Sequence, residues 1–219
     1  MKKIAVILAG CGSMDGSEIH ESTLLLYALS KAGVKYEIFA PNKQQADVIN
    51  FVEGVAMSEK RNVLLESARI ARGEIQELTE LEHTNFDALI LPGGFGAAKN
   101  LFTFALDGLD FVVDDYVEHI INSFNQASKP IGAMCIAPMV LAKVLAHKNV
   151  EITLGPTTEL CTTTAQKFGV TVTATSKDGV VVDRVNKVVT TPAYMYGDNT
   201  IAQVGAGAEN LVTSILELI

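Results

Sequence analysis

At 219 residues and 48% hydrophobic, the chain can bury a substantial core, and α/β chains of this length are often undivided, which gives one domain over 1–219. Its formal net charge of −8 would repel phosphate backbones and anionic lipid, so nucleic acid and membrane surfaces are poor partners and small neutral molecules stay open. Cys11, Cys135 and Cys161 are odd in number and lack metal-like spacing, a pattern that suits a reducing cytoplasm rather than a disulfide framework.

The first predicted element is a strand over Lys3–Ala9. Met1-Lys2-Lys3, the apolar run Ile4–Ala9 and Gly10-Cys11 mimic a lipoprotein signal. The apolar run falls short of the roughly 7–15 residues of a signal core, and a buried strand is the better reading. No stretch approaches the ~18 apolar residues of a spanning helix, so a soluble protein is expected. Asp15-Gly16-Ser17 reads as a helix start, followed by Leu24, Leu25, Ala28 and Leu29 at helical spacing and a stop at Gly33. A second strand follows over Val34–Phe39, then an excursion from Ala40 to Glu74 with a charged helix, read as a dimer contact or a lid. Further strands are expected over Phe86–Leu91, Pro130–Met134 and Val150–Leu154. Val180–Asp183 and Lys187–Thr190 read as a hairpin, and Asn199–Ile219 as a closing helix. Strands alternating with helices imply a parallel sheet covered on both faces.

Two strand ends carry the chemistry. Pro130–Met134 stops at Cys135 and turns at once toward a helix, and such a turn needs small residues two positions either side of a nucleophile, here Ala133 and Ala137. A helix N-terminus favours thiolate over thiol. The alternative is a small buried hydrophobe. Phe86–Leu91 runs into Pro92-Gly93-Gly94, where backbone free of side chains can approach a ligand and point N–H groups at an oxyanion. In open α/β sheets such ends converge on one crevice. The helix after the first strand brings Glu18, His20 and Glu21 to the same end. Glu18 and Glu21 share a face, while His20 points about 100° away from Glu21. A carboxyl beside a thiol can hold a proton and deliver it later if burial raises its pKa. Acidic residues also simply favour a helix's first turn, a reading that covers Glu18. A metal site from Asp15, Glu18 and His20 lacks any reinforcing ligand cluster.

The helix with Glu21, the Leu91-Pro92-Gly93-Gly94 turn and the Ala133-Met134-Cys135-Ile136-Ala137 elbow resemble the PfpI/ThiJ superfamily. Within it the chain is similar to the ElbB-like glyoxalases, also described as isoprenoid or sigma cross-reacting proteins. That likeness runs through Gly10-Cys11-Gly12, Asp15-Gly16-Ser17-Glu18, Pro92–Asn100 and Thr190–Met195. The resemblance implies a flavodoxin-like three-layer α/β sandwich with a mostly parallel sheet, related to class I glutamine amidotransferases, and a homodimer. It implies Cys135 as nucleophile, Glu21 as its acid/base partner, and conversion of glyoxal or related 2-oxoaldehydes to 2-hydroxy acids without glutathione, cofactor or metal. Gly93, Gly94, Ile136 and His20 would then hold the oxyanion and substrate.

Many superfamily members place a histidine about twenty residues after the nucleophile, but this chain reads Thr153-Leu154-Gly155-Pro156-Thr157 there. His147 falls at the end of the elbow helix, where a cation helps satisfy terminal carbonyls, and His83 and His119 read as surface residues. An amidotransferase or peptidase needs a base to activate the thiol and protonate a poor nitrogen leaving group. A 2-oxoaldehyde asks less, because its aldehyde carbon is electrophilic and no amine leaves. The alternatives are a redox sensor using an oxidisable Cys135 and a non-catalytic dimeric binding protein.

Overall fold

The computed structural model describes residues 1–157 and 160–219. Its centre is β1 (Lys3–Ile7), whose β-branched and apolar side chains are fully buried from Ile4 to Ile7, as a strand covered on both faces requires. Parallel to it on one side lie β2 (Lys35–Ala40) and, after the β3 (Ile49–Asn50)–β4 (Val55–Ala56) hairpin and α2 (Val63–Ala71), the edge strand β5 (Gln76–Glu77). On the other side lie β6 (Ala88–Leu91) and β7 (Ile131–Met134). The chain therefore builds outward from β1, then returns to its opposite side at β6. This reversal between β1 and β6 is the topological switch point at which α/β sheets bind ligands.

Beyond β7 the order departs from the sequence reading. The segment predicted as the next strand shortens to β8 (Glu151–Ile152), which pairs in parallel with β9 (Thr171–Val172) in a separate small sheet. The place beside β7 is taken by β11 (Val188–Thr191), with β10 (Val181–Asp183) antiparallel at the edge. The hairpin wins because β11 can match β7 over four residues, Val188 against Ile131 to Thr191 against Met134. β8 instead caps the hairpin through Glu151 N–H to Asp183 Oδ2 (3.0 Å) and Thr153 N–H to Thr190 Oγ1 (2.8 Å). Among the described residues the main sheet is thus seven-stranded, in the order β10-β11-β7-β6-β1-β2-β5.

Helices flank it. α1 (Ile19–Lys31) packs on α8 (Ile201–Leu218), which also lies against β7 and β11. After α3 (Ala97–Asn100) and α4 (Phe104–Asp107), α5 (Asp115–Gln126) packs on β6, β7 and α6 (Pro138–Val144), and α7 (Leu160–Lys167) lies against α6. Since β7 is buried throughout, helices on both of its sides complete three layers. α8 is well specified locally. Thr200 and Gln203 form a reciprocal capping box, and Val204, Ala208, Leu211, Val212 and Ile215 form its buried stripe.

The excursion over 40–74 is braced against the loop that follows β1 and against α3. Asp15 Oδ2 accepts from Ile49 N–H (2.9 Å), Asn100 Oδ1 from Ala46 N–H (3.0 Å), and Lys99 Nζ pairs with Asp47 Oδ2 at 2.6 Å. Among the described residues no helix is long and apolar enough to cross a membrane.

Candidate active site

Three chain segments leave the carboxyl ends of β1, β6 and β7 side by side. The first forms a tight loop before α1. Helix α1 starts at Ile19, later than the sequence suggests, because Ser17 is spent inside the loop: its Oγ accepts from Ala9 N–H at 2.8 Å. Glu18 is the N-cap, accepting from Glu21 N–H through Oε2 at 2.7 Å. Its own N–H donates to Gly93 O at 2.9 Å, which locks the helix start to the β6 turn. One turn on, the wholly buried Glu21 side chain accepts from Gly93 N–H at 2.9 Å and from Tyr194 N–H at 3.4 Å.

Cys135 follows β7 with φ +58°, the left-handed region that costs a non-glycine residue strain. The strain is sustained by Cys135 N–H donating to Thr191 O (3.0 Å) and by the buried flanks Ala133 and Ala137. This geometry directs Sγ toward Glu21, to which it is hydrogen-bonded, and toward the N–H groups of Gly94 and Ile136. Gly93 is glycine for a steric reason, since a Cβ there would stand 2.5 Å from Cys135 Cβ and 2.8 Å from Glu21 Oε2. Gly94 has φ +113°, and a Cβ there would reach 2.5 Å from Glu18 N and Gly16 O. The structure therefore brings together Cys135, Glu21, Gly93, Gly94 and Ile136.

The electrostatics correct one expectation. Cys135 sits three residues before α6, which begins at Pro138, and so lies outside the first turn, where a helix dipole acts most strongly. Burial first, then the Glu21 carboxylate, push the thiol well above its ordinary value, outweighing the N–H groups of Gly94 and Ile136. Glu21 is pushed up to about 7, first by burial and then by the Glu18 charge. Two acids in contact cannot both ionise cheaply. Above about pH 7 the pair holds one proton between two sites, and the state with that proton on Glu21 is the reactive thiolate.

This shift also has a consequence for stability. A carboxyl at about 7 when folded, against an ordinary 4.5, keeps its proton in the native state over a range where the unfolded chain has lost it. Stability from this group is fully present below pH 4.5 and is lost as pH rises through about 7, a loss of about 3 kcal/mol. Urea unfolding at pH 5 and pH 8 should show wild type losing about that much more than Glu21→Gln. Equal losses in the two proteins would mean that Glu21 does not titrate in this way.

His20 is carried elsewhere by the helix turn, as its angular position implies, but it does not stand alone. Its Nδ1 lies 2.8 Å from the Tyr194 hydroxyl, with the rings 5.9 Å apart. Tyr194 follows β11 and lines the cleft over Cys135 together with Met14, Phe95, Ile136, Met195 and Glu18. The cleft holds about 300 Å³. A larger cavity of about 710 Å³ lies by the far edge strand, between Tyr36, Ile70 and Gln76, and among the described residues its lining includes no cysteine, serine or threonine. Sequence pattern alone does not single out Tyr194 as a site residue; its signal is the Thr190–Met195 stretch, which carries the family likeness without marking one side chain. Ala193, with φ +44°, is the local strain that places it.

Asp15, Glu18 and His20 turn to different partners, Ile49 N–H, Glu21 N–H and Tyr194. Among the described residues no group of three or more His, Cys, Asp or Glu side chains is placed to hold a metal ion. His119 and His147 are exposed, and the half-buried His83 stacks edge-on to Phe124 at 6.2 Å.

The model of the DJ-1/PfpI family matches residues 2–196. The human glutamine amidotransferase-like class 1 domain-containing protein 3, mitochondrial, is 45% identical over 99% of this chain and 83% of its own length. The isoprenoid biosynthesis protein with amidotransferase-like domain from Ehrlichia chaffeensis superposes with TM-score 0.93 at 34% identity, covering 100% of this chain and 99% of that one. Glyoxalase III from Candida albicans shares the fold at TM-score 0.62 and 12% identity, over 97% of each chain. The human relative is named as mitochondrial, as are those from rat and zebrafish, and this overturns the cytoplasmic placement. Three cysteines without metal-like spacing suit a reducing space, and the cytoplasm is not the only one.

Proposed function

Because the chain belongs to the DJ-1/PfpI family, we propose that it is a cofactor-independent glyoxalase, converting glyoxal or related 2-oxoaldehydes to 2-hydroxy acids. The observation that carries this reading is the hydrogen-bonded Cys135–Glu21 pair beneath two converging N–H groups, with Glu21 pushed up to about 7. A group poised there can both give and take a proton at neutral pH.

The reaction balances without an outside oxidant. The Cys135 thiolate adds to the aldehyde carbon, forming a C–S bond and an oxyanion that the Gly94 and Ile136 N–H groups stabilise. Glu21 first gives the thiol's proton to that oxyanion, which frees its carboxylate to take the proton from the carbon. The hydroxyl proton crosses to the neighbouring oxygen in the enediolate, and Glu21 returns the carbon's proton to the neighbouring carbonyl carbon. One carbon is thereby oxidised to a thioester and its neighbour reduced to an alcohol. Water then cleaves the thioester, releasing the 2-hydroxy acid and the thiol. No amine leaves at any step, so the route requires no imidazole at Thr153–Thr157.

The redox-sensor alternative fits less well, because Cys135 is only 8% exposed and its thiol is pushed up rather than down. The test is direct: EDTA-treated protein, without glutathione, is given glyoxal and methylglyoxal, and glycolate and lactate are measured. Formation of neither acid would end the glyoxalase reading. In the same assay His20→Ala should lower kcat/KM by less than about tenfold, mainly through KM, since His20 reaches the cleft only through the Tyr194 hydroxyl. A loss equal to that of Cys135→Ser would make His20 part of the chemistry.

A further inference from the structure

We propose that Glu18 is a charge gate on the Cys135 cleft, restricting it to uncharged, short 2-oxoaldehydes and turning away analogues that carry a carboxylate. The substrate class rests on the glyoxalase reading above. The gate itself rests on the cleft.

Glu18 lines that cleft with Cys135, and it is fixed rather than loose. Its Oε2 accepts from Glu21 N–H at 2.7 Å, and its own N–H is held by Gly93 O at 2.9 Å. The charge therefore stays at the mouth instead of swinging away into water. Among the described residues, no lysine, arginine or histidine forms part of the cleft wall to offset it. The nearby cation is already matched: Lys99 lies over the Phe95 ring at 5.3 Å and is paired with Asp47 at 2.6 Å. The remaining walls, Met14, Phe95, Ile136 and Met195, suit a hydrogen or small apolar substituent on the substrate. A site built for a carboxylate would present an arginine or lysine where this one presents a glutamate. Rejecting a competitor with a fixed like charge is a standard route to specificity, and the chain's net charge of −8 adds to it at long range.

The test does not depend on turnover. Iodoacetamide and iodoacetate are close in size and differ in charge, and each replaces iodide at a thiolate. Their labelling rates at Cys135 are measured by peptide mapping, and their ratio is divided by the ratio for N-acetylcysteine. In wild type the neutral reagent should be favoured by about tenfold beyond the free-thiol reference, the order expected of one charge close to the reacting sulfur in a half-solvated site. Glu18→Gln keeps an oxygen to cap Glu21 N–H and should bring the ratio to within about twofold of the reference. An unchanged ratio in Glu18→Gln would overturn the gate. As a check that needs no variant, about 1 M salt should shrink the wild-type excess severalfold, and an excess indifferent to salt would equally overturn it. Failure of the glyoxalase reading looks different: wild type would show the labelling preference yet form no hydroxy acid. Conversely, hydroxy acid formation with no charge preference would remove the gate alone.

Discussion

Cys135→Ser and Glu21→Gln are each expected to lower glyoxal turnover by about a thousandfold or more while leaving the far-ultraviolet circular dichroism unchanged. Cys135 supplies the bond that makes the aldehyde carbon an oxidisable thiohemiacetal, and a serine hydroxyl in the same contact is a far weaker nucleophile without a stronger base. Glu21 carries the proton between two adjacent carbons, and the Gln amide cannot accept it. General acid–base groups contribute roughly 10²–10⁴-fold, and here the same group also governs the ionisation of the nucleophile. The double variant should therefore be scarcely worse than either single one, as for residues that act as a unit. Near wild-type turnover in either folded variant would remove both from the mechanism.

Gly96→Ala is expected to be among the most damaging single substitutions, although Gly96 touches no reacting group. A Cβ there would collide with the backbone of Asp15 and Gly16, and backbone cannot rotate aside as a side chain can. The loop after β1 would have to move, carrying with it the Glu18 cap and its bond to Gly93 O. A loss of about 3 kcal/mol or more in urea unfolding is expected, with a comparable collapse of turnover in whatever protein folds. Gly197→Ala is the comparison. Like Gly96 it lies outside the left-handed region, but it is exposed and its Cβ would meet nothing within 4 Å, so a cost below about 0.5 kcal/mol is expected. Similar costs at the two positions would mean that the close packing of the β6 turn on the β1 loop is not what holds the site.

The ends of β1, β6 and β7 were legible in the sequence because each combines an apolar strand with an abrupt stop: Gly10 after the first, Pro92-Gly93-Gly94 after the second, Cys135 between two alanines after the third. Parallel strands followed by helices put all their carboxyl ends on one side, so the convergence of Cys135 with Glu21 and the two glycines follows from local pattern and handedness alone. The short strand at Glu151–Ile152 was misplaced because its apolar pattern specifies burial without specifying a neighbour. The choice of β11 beside β7 is a competition between distant segments.

Charge and contact were decided only by the tertiary structure. Whether Cys135 is a thiolate depends on how completely the chain around it excludes water, and on a carboxyl 114 positions earlier in the chain; neither is a property of the elbow that made the cysteine conspicuous. Tyr194 joins the site from the far end of the chain through one N–H and one hydroxyl. The sequence by itself determined which residues stand at the carboxyl ends of the strands, because strand period, turn chemistry and connection handedness are local. The tertiary fold alone decided their protonation and their partners, because desolvation and Coulomb interaction depend on everything packed nearby, whatever its place in the chain.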